Sequence, residues 1–151
     1  MAEMPASQSR SFRLDAPCEI VFPLFTPLGE RAWVPDWNPE ILTGEKARGT
    51  VFRTRSHDEE TIWIVNSFEP ERFRVSYARL KHASNFGLVD VECRATGAGS
   101  EVSVRYTLTG ISPDGEAFVR EFLDPANYDR FIELWRQAIS AVLAKPHPES
   151  H

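Results

Sequence analysis

EVSVRYTLTG, residues 101–110, is the stretch on which the fold turns. Val102, Val104, Tyr106 and Leu108 fall on one side of an extended chain; Ser103, Arg105, Thr107 and Thr109 fall on the other. A period of two with one apolar side marks a strand that has one covered face and one wet face. The preceding segment, 86–95 (FGLVDVECRA), follows the same rule: Val89, Val91 and Cys93 oppose Asp90, Glu92 and Arg94. Upstream, 50–56 (TVFRTRS), 60–68 (ETIWIVNSF) and 72–79 (RFRVSYAR) also read as strands. HDEE, EPER and the glycine-bearing TGAGS supply turns between them. Five strands joined by short turns form an antiparallel meander between Gly49 and Gly110.

After Gly110 the period lengthens. Phe118, Val119, Phe122 and Leu123 make one apolar stripe, and Asp124-Pro125 is a cap followed by a first-turn proline. Tyr128, Phe131, Ile132, Trp135, Ala138, Ile139, Val142 and Leu143 then recur at three- and four-residue steps, the strongest amphipathic pattern in the chain. Lys145-Pro146 ends it. Before the meander, 9–14 (SRSFRL) alternates as a short strand. Pro17 opens a helix that Pro23 limits to about two turns, and Thr26-Pro27 opens a second short helix through about Ala32. Next comes WVPDWNP, 33–39, with two tryptophans and two prolines in seven residues. The prolines stiffen this segment into a loop carrying two large apolar side chains.

A one-sided antiparallel sheet needs an apolar cover, and only the long terminal helix can supply it. The expected class is α+β: an N-terminal strand, two short helices and a five-stranded meander curled around a C-terminal helix. Residues 9–145 form one domain, with 1–8 and 146–151 as tails. A twisted sheet does not meet a helix evenly, so side chains fill the space between them or a cavity remains. The inward candidates are rings: Phe52, Trp63, Phe73, Tyr77, Tyr106, Phe131 and Trp135.

Composition narrows the function. The 151 residues carry a net charge of −5 with no basic cluster, which disfavours nucleic acid and anionic membrane as partners. No run approaches the roughly 20 apolar residues of a bilayer span, and MAEMPASQSR lacks the apolar core of a secretion signal, so a cytoplasmic protein is expected. Cys18 and Cys93 stand far apart and read as buried free thiols. The histidines show no metal spacing, so neither metal nor cofactor is expected. His57 and His82 read as turn residues, and no nucleophile-base set can be placed. Glu30 reads as a cap or a partner for Arg31. Arg79 shares a strand side with Tyr77, where it either marks an anionic ligand or snorkels to water.

The order of elements, together with LFTPLGERAWVPDWNP (24–39) and GSEVSVRYTLTGIS (99–112) ahead of a helix bearing Trp135, resembles the START/polyketide-cyclase/pollen-allergen superfamily, or SRPBCC. The likeness spans 9–145. TPLGExxWVPxW looks like a pattern of small bacterial members whose ligands are mostly unassigned. The resemblance implies a helix-grip fold with a hydrophobic cavity for lipids, sterols, polyketides or other small apolar molecules. It puts the tryptophan loop near the cavity mouth, where Trp33 and Trp37 either contact ligand or plug the sheet's open end. The expected ligand-binding set is Trp33, Trp37, Phe52, Trp63, Tyr77, Phe86, Tyr106, Phe131 and Trp135, with no catalytic residues assigned. Three functions follow in order: a carrier, sensor or sequestering protein for a small apolar or aromatic molecule; a cyclase- or aromatase-like enzyme using Tyr77, Tyr106 and Arg79; and a protein-interaction module resembling chaperone activators. Edge strands could also pair into a homodimer.

Overall fold

In the computed structural model, which describes residues 6–145, the alternating segments close into one antiparallel sheet. Its strands are β1 (Ala6–Leu14), β2 (Glu40–Thr43), β3 (Val51–Ser56), β4 (Glu59–Glu69), β5 (Arg74–Lys81), β6 (Asn85–Thr96) and β7 (Gly99–Gly110). Their order is β1-β7-β6-β5-β4-β3-β2. Helices α2 (Pro113–Phe122) and α3 (Pro125–Ala144) cover the inner face. The expected cap at Asp124 accepts from the Asn127 amide, and Ser112, which was not expected as a cap, accepts from the Gly115 amide. Tyr128, Ile132 and Ile139 of α3 are buried, and the Tyr128 hydroxyl donates to the Val104 carbonyl at 2.9 Å.

The structure corrects the expected boundaries. β1 begins at Ala6, so residues 6–8 are strand and not tail. β2 was not expected; it is four residues long and pairs with β3 through an irregular register. The tail positions 1–5 and 146–151 lie outside the described residues. The first short helix is a single α-turn, α1 (Cys18–Val21), continued by a 3-10 turn at Phe22–Phe25. The second is only a 3-10 turn, Gly29–Ala32, with Thr26 capping the Gly29 amide at 3.0 Å.

Two features of this topology build the site. First, β1 and β2 are the opposite edges of the sheet. Residues 15–39, which join them, must therefore cross its whole width, and the tryptophans ride on that crossing. Second, β4 carries a bulge between Val65 and Ser67. One extra residue reverses the alternation beyond it. Trp63 and Val65 point inward before the bulge, and Phe68 points inward after it, stacked on Phe22 with ring centres 5.9 Å apart.

On the outer face Arg53 pairs with Glu40, Arg55 with Glu60, Arg74 with Glu92 and Arg94 with Glu101. Exposed pairs of this kind contribute little, about 0–1 kcal/mol each. That face is not uniformly polar. Cross-strand neighbours Ile62, Leu80 and Phe86 form one apolar row, and Ile64, Ala78 and Leu88 form the next. Ile64, Leu80 and Phe86 are exposed.

Candidate functional site

Between β3–β7 and α3 lies a hollow walled by rings. Phe52 and Trp63 are cross-strand partners whose rings stack nearly parallel, 5.9 Å apart. Trp63 is fixed by its indole N–H, which donates to Thr54 Oγ1 at 3.0 Å. Tyr77 meets both rings edge-on. Tyr106 and Trp135 close the side toward α3, and Val89 and Val91 form the floor. The hollow measures about 20 Å³, room for one water molecule and no more. Wider clefts exist on the surface and are open to solvent; one of about 290 Å³ on the outer face and one of about 460 Å³ beside Arg53 and Arg55 are lined mostly by polar residues.

Trp37 roofs the hollow. Asp36 takes the left-handed backbone conformation, φ 57°, which a short polar residue tolerates. Trp37 then meets Phe52 and Trp63 edge-on, 6.1 and 5.7 Å away. Its indole N–H donates to the Pro27 carbonyl at 2.7 Å. Trp33 lies deeper and takes another role. It is 7% exposed, donates to the Leu24 carbonyl at 2.8 Å, and packs on Phe25 and Trp135. It supports the wall without lining the hollow.

Of the nine expected ligand-binding residues, six line the hollow: Trp37, Phe52, Trp63, Tyr77, Tyr106 and Trp135. Trp33 and Phe131 form a layer behind it, Phe131 against Tyr106, Phe122 and Trp135. Phe86 is misplaced in that set. It is 50% exposed and belongs to the apolar patch on the other side of the sheet. Phe73, among the inward rings, sits in the left-handed turn before β5 and packs on Phe22 away from the hollow.

The polar groups set this interior apart from an ordinary core. Tyr77 is committed, because its hydroxyl donates to the Phe25 carbonyl. Glu30 was read from the sequence as a cap or a partner for Arg31, yet it lines the hollow. The usable signal was helical spacing, since Glu30 stands three and four residues before Trp33 and Val34. Loss of water pushes its carboxyl well above the ordinary 4.5. Arg79 is 9% exposed, its Nε is buried without a partner, and its guanidinium lies 5.4 Å over the Trp63 ring. Burial lowers its pKa. Burial raises the Tyr106 phenol, while Arg79 pulls it down and Glu30 pushes it up.

Cys18 and Cys93 are buried and free. Burial, then Cys18, then Glu92 push the Cys93 thiol to about 12, far from a nucleophile's range. Among the described residues no helix is long and apolar enough to cross a membrane.

Glu30 yields a prediction. Its folded-state pKa lies above its unfolded value, so the folded chain holds the proton more tightly. Stability from this group is complete below 4.5 and is lost as pH rises from 4.5 through the folded value. Glu30→Gln should therefore melt higher than the parent at about pH 8, with the gap closing toward about pH 4.5. Melting curves across that range check it. An unchanged gap would mean that the carboxyl is solvated.

No family model matches the chain, and no curated protein matches it either. Solved structures do. Ara h 8.0201 aligns at TM-score 0.69 and 14% identity, over 93% of this chain and 99% of its own. Zhui aromatase/cyclase from Streptomyces sp. R1128 aligns at 0.66 and 16%, over 90% and 92%. Major latex-like protein 151 from Panax ginseng aligns at 0.68 and 13%, over 95% and 100%. Likeness this remote in sequence but this complete in length carries the architecture alone: the chain shares the helix-grip fold of these structures.

Proposed function

We propose that this chain binds a small hydrophobic or aromatic molecule between the sheet and α3, as a carrier, sensor or sequestering protein, with Trp37 as the door. One observation carries the reading. The hollow is apolar, yet Glu30 and Tyr106 line it, and Arg79, which lies over the Trp63 ring of its wall, has a buried, unpartnered Nε. Buried polar groups cost stability unless something satisfies them, and a core built only for packing avoids them.

At about 20 Å³ the hollow must open to admit a ligand. Trp37 is the weakest part of its wall. Releasing it breaks one hydrogen bond, worth about 1 kcal/mol, and two edge-on ring contacts, worth about 0.5–1.5 kcal/mol each. Burying an apolar ligand returns roughly 25 cal/mol per Å², enough to offset that. Pro27, which holds the indole, also borders a surface depression of about 450 Å³ beside Leu28 and Ile41. Swinging Trp37 aside would join that depression to the hollow.

A second reading has its own support. The apolar rows around Leu80 and Phe86, with an interior almost filled, suit a protein-interaction module or a homodimer. The cyclase-like alternative keeps Tyr106 and Arg79 but loses Tyr77, whose hydroxyl is already used. Native mass spectrometry of the full chain separates the first two. A retained or added apolar small molecule at one per chain supports the binding reading. A ligand-free chain that carries a second copy or another protein supports the interaction reading.

A further inference from the structure

We propose that the ligand of this hollow is an aromatic or similarly planar apolar molecule bearing one oxyanion, a carboxylate in the simplest case, and that Arg79 is its counter-ion. The proposal rests on the binding reading above and names the chemistry of what is bound.

Arg79 lies on the inner side of β5, two residues from Tyr77. Its cross-strand neighbours are Trp63 on β4 and Gly87 on β6. Trp63 gives the guanidinium a ring to stack on, and Gly87 gives no side chain. Among the described residues no carboxylate pairs with Arg79, whereas Arg53, Arg55, Arg74 and Arg94 on the outer face are each paired. The acid that lines the hollow is Glu30, whose desolvation favours the neutral form. A neutral Glu30 leaves the hollow without a negative charge of its own. Arginine presents its N–H groups as a planar fork that matches a carboxylate, and a stacked guanidinium keeps that fork free. Tyr106, which lines the hollow, can donate to the same oxyanion.

The size of the hollow sets the rest. Phe52 and Trp63 present parallel rings, with Tyr77 and Trp37 edge-on to them, a wall suited to a flat apolar body. A long flexible chain would need more length than one displaced indole provides.

The test uses the full-length chain and two probes of nearly equal shape, 2-naphthoate and 2-naphthalenemethanol, with binding followed by tryptophan fluorescence and calorimetry. The expected result is that the carboxylate binds roughly tenfold to a hundredfold tighter, as hydrogen bonds to a charged group allow. Arg79→Met should abolish that preference by weakening the carboxylate while leaving the alcohol unchanged. Arg79→Lys should keep part of it. Equal affinities in the parent chain would overturn the proposal while leaving the hollow as a binding site. So would a preference that survives Arg79→Met. If neither probe binds the parent chain, the proposal falls together with the binding reading. If Arg79→Met fails to fold, Arg79→Lys serves in its place: the carboxylate must lose affinity while the alcohol does not, and an undiminished preference in that variant overturns the proposal.

Discussion

Trp33→Ala should destabilise the protein by about 3–5 kcal/mol, and Trp37→Ala should cost far less while changing ligand uptake. The two residues are four apart in one stiff loop, so the contrast isolates position from residue type. Trp33 is almost wholly buried, and its indole lies between Phe25 and Trp135, with ring centres 5.8 and 4.9 Å away. Removing it opens a cavity where α3 meets the crossing segment and leaves the Leu24 carbonyl without its donor. Trp37 is only half-buried and has rings on one side. Its loss exposes Phe52 and Trp63, which ought to shift melting modestly. It also removes the roof, so the naphthalene probes should associate and dissociate faster. Chemical denaturation and stopped-flow fluorescence measure the two effects. A Trp37→Ala variant as unstable as Trp33→Ala would make both tryptophans core residues and remove the door.

The same pair shows how far residues alone could lead. Periodicity revealed the meander and α3 because each of those elements repeats one rule many times. The caps at Thr26 and Asp124 were legible because a polar residue followed by proline has few other uses. β2 was not legible. Four edge residues with only Ile41 packed inward are too few to show an alternation. The bulge after Val65 was invisible for a related reason, because one extra residue has no signature until the partner strand is known. In the site, Phe86 was assigned by its chemistry, although the parity of its own strand, set by Val89, Val91 and Cys93, points it outward. Glu30 was passed over because its neighbour Arg31 offered a simpler partner. Only the folding of residues 15–39 across the sheet brings it to the hollow. Arg79 was open between an anion site and a snorkelling surface residue. Parity placed it correctly, but the absence of a nearby carboxylate is a tertiary fact.

Gly115→Ala offers a sharp test of how α2 is docked, because local propensity and packing predict opposite signs. In a helix, alanine in place of glycine is normally stabilising by about 1 kcal/mol. Here a Cβ on Gly115 would lie 1.7 Å from the Ser84 carbonyl oxygen and 2.6 Å from its carbon, and neither is a side-chain atom that can swing away. That carbonyl is already held by the Ile111 amide at 2.8 Å. The turn itself is pinned by the Ser112 hydroxyl, which donates to the Ala83 carbonyl at 2.6 Å, and Ala83 sits in the left-handed region at φ 60°. The helix must therefore move, not the turn. The expected cost is about 3 kcal/mol, a fall in melting temperature of roughly 10 °C for a chain of this size. Ser112→Ala, which removes the cap but not the space, should cost only about 1 kcal/mol. The consequence reaches the hollow. α2 passes into α3 at Asp124-Pro125, and the first turns of α3 carry Tyr128 and Phe131 against Tyr106. A displaced α2 should loosen that wall, so probe affinity should fall in Gly115→Ala and hold in Ser112→Ala. If Gly115→Ala melts at or above the parent temperature, α2 does not press on the Ser84 turn, and the wall it supports is not set by that contact.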